Sequence, residues 1–94
     1  MFLEERRILQ SAVITYGQNA QILMCIEECA ELTNALAKIP RNRVTEDEII
    51  TEIADVSIMI DQLAMMFGED KVFKERQRKI QRLKMRLSEA RKGE

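Results

Sequence analysis

The chain has 94 residues, 46% of them hydrophobic, with only three Gly and one Pro, a composition that suits one domain (residues 1–94) of long regular elements. It has no histidine and two cysteines, Cys25 and Cys29, so a conventional zinc site lacks ligands; at i, i+4 on one helix face the thiols are badly placed for a disulfide. The net charge of −1 hides a split, because residues 1–70 hold 5 basic and 13 acidic side chains while residues 71–92 hold 10 basic and 2 acidic. Such asymmetry implies an anionic partner for the tail, acid–base docking within the fold, or both.

The first predicted helix runs from Leu3 to Thr15 and stops at Gly17 in "TYGQN". The second spans Asn19 to Lys38, its apolar residues Ile22, Cys25, Cys29, Leu32 and Leu36 following the helical period, and Pro40 ends it. After the loop "PRNRV", "TEDE" reads as a capping box with Thr45 as N-cap and Glu48 three residues on. The third helix reaches Phe67, with Ile49, Ile53, Val56, Ile60, Ala64 and Phe67 expected on its core face. "GED" at 68–70 is read as a break. The fourth helix, Lys71 to Ala90, carries a narrow apolar stripe of Phe73, Ile80, Leu83 and Leu87 in an otherwise basic surface. No segment alternates as a strand would, so the expected class is all-α, antiparallel helices joined by short loops. Long amphipathic helices in so short a chain leave apolar surface over, which predicts self-association as a homodimer or homotetramer.

Carboxylates interrupt both central helices. With the second helix centred on Cys25, Glu28 lies about 60° away and Glu31 about 120° away on the same side, while Glu27, about 160° away, faces solvent. On the third helix, centred on Ile53, Glu52 and Asp55 are about 100° and 160° off, again to one side. Each helix thus presents two carboxylates at i, i+3, roughly 5–6 Å apart at Cβ. Taken singly, either pair suits an ordinary solvated surface. Brought together by antiparallel packing, the four would repel one another unless a cation joined them, and hard oxygen donors suit Mg²⁺ or Mn²⁺.

The motif "EECAE" (Glu27, Glu28, Glu31) followed by "EIAD" (Glu52, Asp55) resembles the EExxE…ExxD signature of MazG-like nucleoside triphosphate pyrophosphohydrolases, the all-α superfamily related to dimeric dUTPases. The resemblance spans roughly Tyr16 to Leu83. It implies a four-helix MazG-like bundle in which Glu28, Glu31, Glu52 and Asp55 bind Mg²⁺ (Mn²⁺ as substitute) and form the catalytic centre. It also implies Lys79 and Arg82 as phosphate contacts and Gln21 and Tyr16 at the nucleoside, while Glu27, the first glutamate of the motif, is left by its angle behind the site or at the surface. Asp61 either pairs with a basic side chain or lines the site. Where several relatives carry a further acidic residue, this chain has Ile58, which argues against a full second metal site.

The expected activity is Mg²⁺-dependent hydrolysis of a (d)NTP to the (d)NMP and pyrophosphate, in nucleotide-pool housecleaning. The competing reading is a non-catalytic helical module whose basic fourth helix binds nucleic acid or an acidic partner. Sequence-reading motifs for nucleic acid are absent, so such binding would be electrostatic and salt-dependent. The longest apolar stretch contains Glu52, Asp55 and Asp61, and no apolar run at the N-terminus suits a signal peptide, so a cytoplasmic protein without a membrane span is expected.

Overall fold

The computed structural model describes residues 2–93, and these are helical almost throughout, with no strand among them. The helices are α1 (Leu3–Tyr16), α2 (Gln18–Ala37), α3 (Glu46–Phe67) and α4 (Glu69–Lys92), with one 3₁₀ turn at Ile39–Arg41. Single glycines make two of the corners. Gly17 between α1 and α2 has φ +92°, and Gly68 between α3 and α4 has φ +117°, a backbone region that favours a residue without Cβ. Because Gly68 turns the chain alone, Glu69 and Asp70 open α4 rather than forming a break, and they complement the positive end of its dipole.

The α2–α3 connection is tied by local bonds. Lys38 caps α2, Pro40 sits in the first turn of the 3₁₀ segment, and Asn42 takes a left-handed conformation at φ 56°. The expected capping box opens α3: the Glu48 N–H donates to Thr45 Oγ1 at 3.2 Å, and the Thr45 N–H donates to Glu48 Oε2 at 2.9 Å. This short connection folds α3 back along α2, making the most extensive helix pairing in the chain. α1 lies against both.

The face α3 turns inward differs from the expected one. Met59 and Gln62 are buried, with Glu52, Asp55, Leu63 and Met66 half-buried beside them; of the expected core residues, Ile49, Val56 and Ala64 are half-buried. Ile53, Ile60 and Phe67, expected in the core, are 52, 46 and 67% exposed. α3 is apolar on most of its circumference, so hydrophobic period alone does not select a face. Pairing with α2 selects the side carrying Glu52 and Asp55. On α2 the inner stripe is Gln21, Cys25, Glu28, Leu32 and Ala35, while Leu36, also expected inside, is 44% exposed. Both thiols are free, Cys25 buried and Cys29 half-buried.

The fourth helix does not complete a bundle within one chain. α4 packs along α3, and every described residue beyond Asp70 is exposed. An Arg6–Glu69 ion pair ties its first turn to α1. The Cα radius of gyration is 16.8 Å, against about 12 Å for a compact chain of this length. Phe73, expected in the core, is 61% exposed, and Ile80, Leu83 and Leu87 are 40, 54 and 48% exposed.

Candidate metal centre

The antiparallel pairing of α2 and α3 carries Glu31 to Glu52, and further along it carries Ala35 to Glu48. Glu28, Glu31 and Glu52 each bring a carboxylate oxygen within 4.8 Å of the others. Glu28 and Glu52 are half-buried and Glu31 is exposed, so the group opens to solvent on the Glu31 side. Asp55 is half-buried one turn along α3. Its carboxylate stands outside the 4.8 Å group, but its charge acts on both Glu28 and Glu52.

The electrostatics of this group are unfavourable as they stand. Glu28 Oε2 and Glu52 Oε2 are shielded from solvent and have no hydrogen-bond partner. Burial first, then the charges of Glu31, Asp55 and Glu52, push the Glu28 carboxyl above the usual carboxylate range. Burial, then the charges of Glu31 and Asp55, does the same to Glu52, and for both groups a side-chain hydrogen bond to Glu31, which requires a shared proton, acts in the same direction. Among the described residues the ion pairs are Arg6–Glu69, Arg78–Glu75 and Lys79–Glu75, so no cationic side chain neutralises the cluster. Orphaned, desolvated carboxylate oxygens facing a third carboxylate fit a divalent cation with hard oxygen ligands, Mg²⁺ or Mn²⁺.

The other expected site residues fall in three places. Glu27 is exposed on the outer side of α2, and Asp61 is exposed on α3. Gln21 is 7% exposed on the inner face of α2, two turns before Glu28, whereas Tyr16 at the end of α1 is 68% exposed. Lys79 and Arg82 lie on α4, and neither lines the cavity that holds Glu31 and Glu52. Lys79 shares a groove with Ile60 and Phe67, two or more turns along α3 from Glu52, and its Nζ is 3.9 Å from Glu75 Oε1.

Two features escaped the motif reading. A cavity of about 260 Å³ at the α2–α3 connection joins Glu31 and Glu52 to Asn34, Lys38, Arg43 and Glu48. The spacing of Glu31, Asn34 and Lys38 along one helix face was the available signal. Gln62 is only 4% exposed, with Oε1 unpartnered, and its i+3 and i+7 spacing from Met59 and Asp55 would have marked the true inner stripe.

The chain matches no protein-family profile, no curated protein and no solved structure.

Proposed function

We propose that the protein is a Mg²⁺-dependent nucleoside triphosphate pyrophosphohydrolase of the MazG-like all-α kind, acting in nucleotide-pool housecleaning. The observation that carries this reading is the convergence of Glu28, Glu31 and Glu52 across the α2–α3 pair, with two buried, unpartnered oxygens and no ion pair to them among the described residues. The EExxE…ExxD spacing supports the choice of reaction. Glu28, Glu31 and Glu52 hold the cation, with Asp55 beside them. When bound, the cation neutralises the carboxylates and supplies Lewis-acid stabilisation of phosphoryl oxygens. Asp55, standing apart from the close group, is the carboxylate left to orient the attacking water and accept its proton. The water oxygen attacks the α-phosphorus, the bond to the α–β bridging oxygen breaks, and its electron pair leaves with pyrophosphate.

Self-association belongs to the same reading. An open groove of about 720 Å³ between the outer side of α3 and α4 is lined by Ile60, Phe67, Val72, Ile80 and Leu83, side chains that a single chain leaves at the surface. A second copy, in a dimer or tetramer, supplies the cover, and the partner's α4 is then the source for phosphate contacts of the Lys79 and Arg82 type. No helix among the described residues is long and apolar enough to cross a membrane.

Anion-exchange analysis after incubation with a panel of NTPs and dNTPs, with Mg²⁺ or with EDTA, tests the reaction class. Monophosphate and pyrophosphate, absent in EDTA, is the expected result; diphosphate and phosphate would assign another reaction. One observation favours a second reading, a non-catalytic module for an acidic partner: α4 is basic and exposed along almost its entire length. Salt-sensitive nucleic-acid binding without turnover would favour it.

A further inference from the structure

The cluster of carboxylates explains how a cation is held but not how a leaving pyrophosphate is. Within the chain, the basic helix α4 packs along α3 on the Ile60 side, and only its first turn reaches α1, through the Arg6–Glu69 ion pair. Two other cations stand much closer. Lys38 lies two turns beyond Glu31 on the same face of α2, about 10 Å along the axis, within range of a lysine side chain reaching back. Arg43 is brought beside it by the fold of the connection: the Arg43 N–H donates to the Lys38 carbonyl at 3.2 Å, across the left-handed turn at Asn42. Both residues line the cavity that Glu31 and Glu52 also line. Neither takes part in an ion pair among the described residues. The acidic member at their end, Glu48, is engaged by the Thr45 N–H in the capping box.

We propose that Lys38 and Arg43 form a polyphosphate subsite that holds the two terminal phosphates of the substrate. The inference rests on the hydrolase reading for its substrate, but the subsite is built from different residues. It orders the substrate along the helix pair, with the α-phosphorus at Glu28, Glu31 and Glu52 and the β- and γ-phosphates toward the α2–α3 connection. When the bond to the bridging oxygen breaks, the negative charge gained by pyrophosphate develops beside the Arg43 guanidinium and the Lys38 ammonium. A guanidinium can engage two phosphate oxygens at once, and the ammonium adds a mobile point charge. The substrate must carry at least two phosphates beyond the scissile bond, so nucleoside diphosphates are poor substrates.

The test compares the full-length wild type with Lys38→Ala/Arg43→Ala, both positions being exposed, and with Lys38→Arg as the conservative variant. Three readouts are taken: Mn²⁺ affinity by electron paramagnetic resonance, steady-state kinetics with the best NTP, and inhibition by inorganic pyrophosphate. The expected result is a KM raised about tenfold or more and pyrophosphate inhibition weakened in parallel, with Mn²⁺ affinity unchanged and Lys38→Arg close to wild type. An active double variant with unaltered KM and pyrophosphate inhibition overturns the subsite and leaves the hydrolase reading standing. A wild type without turnover that binds pyrophosphate, and a double variant that does not, overturns the hydrolase reading and supports the subsite. A wild type that neither turns over nor binds pyrophosphate overturns both.

Discussion

Adding Mg²⁺ to the metal-free protein should raise its melting temperature, and replacing Glu52 should remove most of that rise. The structure leaves Glu28 Oε2 and Glu52 Oε2 buried without partners beside Glu31, a repulsive arrangement that unfolding would relieve. A ligand that binds only the folded chain stabilises it by mass action, about 2.7 kcal/mol at a hundred times the dissociation constant. For a domain of this size that corresponds to a rise of roughly 10–20 °C in Tm. Glu52→Gln removes one ligand and one repelling charge, so the metal-free variant should melt at or above the metal-free wild type and respond little to Mg²⁺. The pH dependence has a definite sign. Folding raises the pKa of Glu28 and Glu52, so the folded chain holds more protons than the unfolded one between the ordinary carboxylate value and the raised one. Metal-free stability should therefore increase as the pH falls through the raised values. Mg²⁺ stabilisation should run the other way, full above them and lost as protons compete. Glu69, whose carboxyl the Arg6 guanidinium holds below its ordinary range, contributes stability that disappears only at lower pH, so the metal-linked window is mildly acidic. Differential scanning fluorimetry at fixed protein concentration, with EDTA or Mg²⁺ across this window, checks both signs. A wild type unresponsive to Mg²⁺, together with a destabilised Glu52→Gln, would refute the reasoning and make the carboxylates structural.

Met59→Ala should destabilise the fold by about 2–5 kcal/mol in chemical denaturation, because Met59 is only 6% exposed and few other apolar side chains share its burial. Gly68→Ala should cost about 1–2 kcal/mol by the same assay, since φ +117° penalises any Cβ; the nearest contact, Lys71 Cδ at 3.3 Å, can move aside. Ile60→Asp places a charge in the α3–α4 groove and should shift sedimentation velocity from an oligomer toward a monomer while leaving Mn²⁺ affinity intact. A wild type that sediments as a monomer would remove the second copy from the account.

Local chemistry was the part of the fold most readable in the sequence. The Thr45–Glu48 capping box, the stops at Gly17 and Pro40, and the placing of Glu28 at the edge of an apolar face depend on neighbours within one turn, and the structure contains them. The rotation of α3 was readable only in part: Ile49, Val56 and Ala64 turn half inward as expected. With apolar residues on most sides, its inner face is decided by its partner across the pair, and that partner draws in Met59 and Gln62 while leaving Ile53 and Phe67 outside. The course of α4 depends on the angle made at Gly68, about which residue type is silent. Lys38 and Arg43 are unremarkable as isolated basic residues, and only the fold of the connection sets them on one cavity with Glu31 and Glu52.

Hydrolysis in H₂¹⁸O, with the products separated and weighed by mass spectrometry, tests the central claim most directly. Mg²⁺-dependent turnover is expected with the label in the nucleoside monophosphate and none in pyrophosphate, and no turnover in Glu52→Gln. Label in pyrophosphate would place the attack on the β-phosphorus, and turnover undiminished in Glu52→Gln would remove the carboxylate cluster from the chemistry; either result contradicts the account.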